Sequence, residues 1–337
     1  MKKLTFFSSP IGLGHVSRDS AIMEYVKEIS TKFVTGNVAS KFLKQLQYDV
    51  EDAYTPPQFV VENGLLQHSL RWLWKYYKYY KDCKSISSNI IKKENPNVVV
   101  SDEDFASISI AQEQKIPTVL ITDVLETRFT SGFASIIEKK MNRSMRNIMK
   151  KCNVVILPEE GDNEDNMIRV GPIVRTINNS REELRRKFSF NKKTIVVSVG
   201  GTNAGKFLIE KTLKILKIQD DYEIVIVSGP SLQKDFGRNI RNLGFVNNLH
   251  EIIFASDLII SLAGKSTIDE SKSYGTPGIF IPIKNHFEQE DNAKEEGFSY
   301  NDINRLDTLI SQKLEEKRNP QNYDGAIKAS KIIKNLI

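Results

Sequence analysis

Cysteine is nearly missing from this chain: its 337 residues hold only Cys83 and Cys152. Two thiols make neither a disulfide framework nor a metal cage, and they fit a reducing cytosol. Long apolar runs are missing as well. Nothing approaches the ~20 uninterrupted apolar residues that cross a bilayer, and the run from Leu4 to Phe7 meets Pro10 too soon to serve as a signal peptide. There is no low-complexity linker, and no internal repeat beyond two similar α/β halves. What is present in excess is positive charge, +6 net with a pI near 9.0. That balance admits nucleic acid or an anionic membrane surface as partner, and a solvated lysine-rich surface accounts for it equally well. At this length two domains are expected, each able to bury its own core.

The chain opens as strand, glycine turn, helix: KLTFF, then SSPIGLGH, then VSRDSAIMEYVKEI. A dinucleotide site is the first reading and it fails. Ser17 stands where the third glycine belongs, and the next strand, TKFVTGN, ends without the acid that would hold an adenosine ribose. What remains is a glycine turn, Gly12 and Gly14, that lets backbone approach a phosphate. His15 at the helix start suits either a hydrogen bond to that phosphate or proton abstraction; a plain capping or packing role is the alternative. Farther on, LLQHSLRWLWKYYKYYKDCKS (65–85) interleaves six aromatic rings with Arg71, Lys75, Lys78 and Lys81. Such a mixture suits a membrane interface or stacking on single-stranded nucleic acid, or a helix with one aromatic face on a core. The stretch from Phe133 to Lys151 is a second basic amphipathic pattern, and two in one half favour a membrane-facing N-terminal domain. Between them SDEDFAS follows a strand, where open α/β sheets place ligands. Asp102 and Asp104 join His15 as candidate bases, with helix capping as their alternative role.

The second half repeats the pattern in TIVVSVGGTNAGKFLIEKTLKIL. Gly200 and Gly205-Lys206 have P-loop spacing, but Phe207 replaces the magnesium-binding hydroxyl, so ATP hydrolysis is not expected. The segment from Gly244 to Ala293 organises the rest. It holds two buried-strand runs, Asp257–Leu262 and Gly278–Ile283, around a Gly-Lys-Ser-Thr helix start. Ser266 or Thr267 is the expected N-cap, with Asp269 and Glu270 in the first turn. Such a start offers backbone donors, hydroxyls and the Lys265 ammonium to an anion, and a carboxylate one turn on can accept both hydroxyls of a ribose. An ordinary capped helix is the plain alternative.

The order of these features resembles the nucleotide-binding half of GT-B glycosyltransferases, family 28 in particular, which includes the bacterial lipid II-forming N-acetylglucosaminyltransferases. AGKSTIDE resembles that family's Ser-Gly-Ala-x-Thr-x-x-Glu signature; Gly275, Pro277 and Pro282 match its Gly-x-Pro and strand-end proline; Gln289, Asn292 and Ala293 match its Gln-x-x-Asn-Ala. The resemblance implies that Gly264 and Thr267 lie against the diphosphate, Glu270 holds the ribose, Gln289 contacts the donor sugar, and the backbone of Phe245 and Val246 brackets the uracil. Gly200, Gly201 and Thr202 resemble the family's Gly-Gly-Ser loop, with Ala204 and Gly205 in exchanged order. The turn at Gly12, Gly14 and His15 resembles its Gly-Gly-His, while Arg18 and Asp19 depart from the family's usual residues. Gly171, Pro172, Val174 and Arg175 resemble its domain-junction motif, which implies that Arg175 reaches a phosphate.

The fold expected is therefore α/β, GT-B, with two Rossmann-like domains of parallel sheet facing a cleft. The domains are expected at 1–174, for the acceptor, and 175–321, for the nucleotide-sugar, with the helix at 322–337 returning to the first. The activity implied is inverting transfer of a hexose, N-acetylglucosamine first among candidates, from a UDP-sugar to a lipid or lipid-linked acceptor. No further cofactor, no dedicated metal and no nucleic acid are expected, and the implied place is the cytoplasmic face of a membrane, held peripherally. A UDP-sugar 2-epimerase of GT-B fold, or a non-catalytic membrane- or nucleic-acid-binding module with a vestigial cleft, are the alternatives.

Overall fold

The computed structural model describes residues 2–130, 132, 135–201, 203–216, 222–229, 236 and 240–337. The chain forms two compact units: 1–58 with 68–174 and 323–337, and 59–67 with 175–322. Residues 59–67, counted above with the first domain, belong to the second unit, as does Asn322, counted above with the returning helix.

In the first unit the strands are β1 (Lys3–Ser8), β2 (Ser30–Thr35) and β3 (Val50–Asp52), with helices α1 (Gly14–Met23) and α2 (Asn37–Gln45) between them. The chain then leaves for a hairpin of the second unit, β4 (Val60–Glu62) and β5 (Leu65–Gln67), and returns through the long helix α3 (Ser69–Glu94). It continues with β6 (Val98–Asp102), α4 (Phe105–Glu113), β7 (Thr118–Ile121), α5 (Ser135–Lys151), β8 (Val154–Leu157) and β9 (Met167–Arg169). The seven strands are parallel in the order β3-β2-β1-β6-β7-β8-β9. The apolar runs of the inner strands are buried on both faces, as an all-parallel sheet between helices requires. The order reverses between β1 and β6, where the register sets Ser8 opposite Asp102.

The aromatic-basic stretch divides between β5 and α3. On α3, Trp72 packs inward, its ring 5.1 Å from Tyr76 and 5.3 Å from Phe129, while Leu70, Trp74 and Tyr77 are exposed among the lysines. On α5, Met145, Ile148 and Met149 pack against the core and Ile136 and Ile137 are exposed. Phe133 and Ala134, where the second amphipathic stretch was read to begin, lie outside the described residues.

The second unit adds α6 (Arg181–Lys187), β10 (Lys193–Ser198), α7 (Lys206–Ile215), β11 (Tyr222–Val227), β12 (Ile240–Asn242), α8 (Leu249–Ala255), β13 (Leu258–Leu262), α9 (Lys265–Tyr274), β14 (Gly278–Ile281), α10 (Phe287–Glu295) and α11 (Leu306–Leu314). Its five parallel strands run β12-β11-β10-β13-β14, reversing between β10 and β13. Gly205 serves packing, since a Cβ there would lie 2.4 Å from the Val199 side chain. The last helix, α12 (Gly325–Leu336), is part of the first unit. A Cβ on Gly325 would lie 2.4 Å from the Pro172 carbonyl oxygen, and Lys334 pairs with Glu28 at 2.6 Å.

The β4–β5 hairpin docks edge-on to the loop after β14: Leu66 N–H donates to the Lys284 carbonyl at 2.9 Å, and Lys284 N–H to that of Gly64 at 2.8 Å. Its turn is Asn63-Gly64, φ +49° and +81°, the pair of left-handed residues that a two-residue hairpin demands. Any Cβ at Gly64 would come within 2.8 Å of the rings of Phe207 and Tyr300. Gly64→Ala is therefore expected to cost about 1–3 kcal/mol of stability, read as a lowered midpoint in denaturant and earlier proteolytic cleavage within 59–67. An unchanged midpoint would show that the hairpin does not carry this contact.

Candidate functional site

In the first unit the site stands at the strand-order reversal, the position where open parallel sheets hold ligands. β1 gives way to a turn that passes through Gly12 at φ +87°, with nothing within 4 Å of where a Cβ would stand. Gly14 then starts α1, and His15 and Arg18, three apart, share one face of that helix. Both reach Asp102 at the end of β6. His15 Nδ1 lies 2.9 Å from Asp102 Oδ1, Arg18 Nε donates to Oδ2 at 2.8 Å and Arg18 Nη2 to Oδ1 at 2.6 Å. Arg18 also reaches Asp123 Oδ2 at 3.3 Å.

Burial works to raise the Asp102 carboxyl, but the charges of Arg18 and His15 and their hydrogen bonds outweigh it and hold the group below the usual carboxylate range. For His15 burial works downward, and the Asp102 charge and hydrogen bond outweigh it, so the imidazole titrates above its ordinary value. An ionised carboxylate accepts only, so the neutral imidazole carries its proton on Nδ1 and presents Nε2 as the basic nitrogen. Nε2 lies 3.9 Å from Glu103 Oε2. This is the geometry of an imidazole base oriented by a buried acid.

Asp104 does not join it. Its side chain caps α4 by accepting from Ala106 N–H at 3.1 Å and takes the Tyr54 hydroxyl at 2.7 Å. Both oxygens are thus committed to structure, which removes Asp104 as a base. Asp102 is likewise committed, fully buried against His15 and Arg18, which leaves His15, 17% exposed, as the candidate base of the three.

In the second unit the carboxyl edge of the sheet is lined with glycine. Gly200 after β10 (φ +75°), Gly244 after β12 and Gly264 after β13 have nothing within 4 Å of an added Cβ, and Gly201 follows in the first loop. Backbone can approach a ligand there as a side chain would not allow. Thr202 lies outside the described residues. The helix start differs from expectation: Gly264 is the N-cap with no side-chain cap, α9 begins at Lys265, and Ser266 and Thr267 fall in its first turn. Asp269 and Glu270 come one turn later, buried, and the helix still directs its positive dipole end at the glycine-lined edge.

Two cations are also not as expected. Arg175 is buried and spent within the unit: its Nε donates to Glu270 Oε1 at 2.9 Å and its Nη1 to the Asn247 carbonyl at 2.7 Å. It braces Glu270 and the loop holding Phe245 and Val246, both half-buried, and is not placed as a phosphate ligand. Lys265 Nζ pairs with Asp269 at 3.0 Å. Gln289 Oε1 accepts from Ile283 N–H at 3.0 Å and Asn292 Nδ2 donates to the Ala263 carbonyl at 3.1 Å. These two tie α10 to the ends of β13 and β14, beside Gly264. Among the described residues, no group of three or more His, Cys, Asp or Glu side chains is arranged to hold a metal ion.

Residues 194–331 match the glycosyltransferase family 28 C-terminal domain. The chain is 27% identical over 220 residues to an uncharacterized glycosyltransferase of Methanopyrus kandleri, spanning 61% of this chain and 62% of that one. It is 24% identical over 345 residues to the UDP-N-acetylglucosamine–N-acetylmuramyl-(pentapeptide) pyrophosphoryl-undecaprenol N-acetylglucosamine transferase of Clostridium perfringens, spanning 95% and 91% of the two. Among solved structures, the glycotransferase of kitacinnamycin superposes with a TM-score of 0.70 at 12% identity, covering 99% of each chain, which speaks for the fold. Two parallel sheets, each reversing once, give the chain the GT-B fold, and its second half, residues 194–331, is similar to the glycosyltransferase family 28 C-terminal domain.

Proposed function

We propose that the protein moves a hexose, N-acetylglucosamine first among candidates, from a UDP-sugar to a hydroxyl of a lipid or lipid-linked acceptor, with inversion at the anomeric carbon. The observation that carries this reading is the His15–Asp102 pair, a partly exposed imidazole braced by a buried, ionised acid at a strand-order reversal. His15 Nε2 takes the acceptor hydroxyl's proton as that oxygen bonds to the anomeric carbon. The bond from that carbon to UDP breaks with its electron pair, and UDP leaves as the diphosphate. Asp102 stabilises the imidazolium so formed. The uridine ribose is assigned to Glu270, held by Arg175, and the diphosphate to the glycine-lined edge and the start of α9, where dipole and backbone donors favour negative charge. Gln289 is assigned to the donor sugar, and no metal is required. The exposed Leu70, Trp74 and Tyr77 among lysines on α3, with Ile136 and Ile137 among cations on α5, support an anionic membrane surface as partner, at its cytoplasmic face. Among the described residues, no helix is long and apolar enough to cross a membrane.

Isothermal titration with UDP, UDP-N-acetylglucosamine, UDP-glucose, GDP-mannose and ATP tests the donor. Selective uridine binding is expected, weakened at least ~10-fold, about 1.4 kcal/mol, by Glu270→Ala, with Glu270→Gln as the variant that keeps a partner for Arg175. No binding of any sugar nucleotide by the folded wild type would sink the transferase reading.

The base is tested by pH. His15 must be neutral to act, and its value is raised, so UDP release in the presence of membrane lipid extract should climb with pH through an apparent value above about 6.5. Asp102→Asn removes the charge that raises it and leaves burial, which lowers it; the acidic limb is expected to move to lower pH while the plateau rate falls. His15→Ala should cost roughly 10²–10⁴-fold in turnover with donor binding intact. An acidic limb that stays in place in Asp102→Asn would assign the titration to another group.

A further inference from the structure

A carboxylate offers about four lone-pair positions. At Asp102 three are filled by the donors already described, His15 Nδ1 and Arg18 Nη2 at Oδ1 and Arg18 Nε at Oδ2. Within hydrogen-bond reach of the same carboxylate lies a second acid, Asp19, also fully buried. It follows Arg18 in sequence, yet that guanidinium is committed to Asp102 and Asp123. Ser8, the cross-strand neighbour of Asp102, donates its hydroxyl to Asp19 Oδ2, and no donor reaches Asp19 Oδ1. An ionised Asp19 would thus bury a charge against a like charge with half of its oxygens unserved. Two touching buried carboxylates beside one guanidinium do not both stay ionised. Asp102, with Arg18 and His15 in hand, keeps the charge. An orphaned oxygen on a buried acid is explained when it bears the proton.

We propose that Asp19 is held as a neutral carboxylic acid whose O–H donates to Asp102, filling the last lone pair of the group that orients His15 and making Asp19 a positioning residue of the base. The groups that face it are Arg18 from its own helix, Ser8 from β1 and Asp102 from β6. Burial, then the Asp102 charge, raise the Asp19 carboxyl well above the ordinary range, against the Ser8 hydrogen bond. A carboxylate whose lone pairs are all occupied has one orientation, so the imidazole it holds has one orientation too. Sharing the Asp19 proton also tempers the basicity of Asp102 and with it the upward pull on His15.

The meaning of this inference rests on His15 being the base, but its test needs no turnover, so the two fail separately. In wild-type protein carrying ¹³C-labelled aspartate, the Asp19 carboxyl resonance is expected at the position of a protonated acid at pH 7; a carboxylate resonance there would overturn the proposal. The His15 imidazole is then titrated by NMR in Asp19→Asn, whose amide keeps a donor toward Asp102. An unchanged His15 value is expected. If Asp19 is ionised instead, the substitution removes a nearby negative charge and the His15 value falls by roughly one unit or more, which also overturns it. Asp19→Leu removes the donor without replacing it and should move the His15 value upward, a shift that a merely space-filling role would not produce.

Discussion

A parallel sheet delivers the carboxyl end of every strand to one edge, and where the strand order reverses, the two flanking loops diverge and leave backbone exposed there. Both units of this chain are built around that constraint. At the β1/β6 reversal the groups gathered at that edge are titratable side chains on one helix and one strand end, all but His15 buried. At the β10/β13 reversal they are glycines and a helix start. The same topology therefore presents a cluster of titratable side chains in one unit and a glycine-lined edge with a helix start in the other, and the difference lies in a handful of residues at the loop tips.

Buried charge is the second organising feature, and each buried acid at these sites is tied down differently. Asp102 has a guanidinium and an imidazole, and Glu270 has the guanidinium of Arg175. Such pairs add little net stability compared with apolar packing, but removing one partner leaves the other uncompensated. They fix orientation: a carboxylate gripped from two sides holds its neighbour in one geometry before any ligand arrives. Arg18 serves both purposes, since its fork spans Asp102 and Asp123 and so joins the ends of β6 and β7.

Much of this was legible in the sequence. The buried strands stood out as apolar runs, and the turn holding Gly12, Gly14 and His15 and the start at Gly264 stood out as glycine-bearing turns between a strand and a helix. What was not legible was which acid of SDEDFAS meets the histidine. Asp102 and Asp104 differ by one strand residue and one turn, and only the start of α4 at Phe105 makes the second a cap. Arg18 was set aside as a departure from the family pattern, although its place three residues after His15 on a helix already put the two on one face. The hairpin was hidden because its second strand ran into the aromatic stretch that followed, though Asn-Gly between VVE and LLQ is the strongest short-range hairpin signal a sequence carries. The role of Arg175 was misread because a cation near an anion site is equally consistent with binding the ligand or bracing the residue that binds it.

The chain passes between its two units at residues 58/59, 67/68, 174/175 and 322/323. Helix α12 lies among the elements of the first unit, so that unit cannot be completed until residues 323–337 have been made. During synthesis the second unit, closed by residue 322, has all its strands and helices available first, and the unit begun at the amino terminus waits with one helix-binding surface uncovered. The order of completion of the two units on the ribosome is thus the reverse of the order in which they begin, and α1, the helix of His15, is covered by α12 only after the second unit has been made.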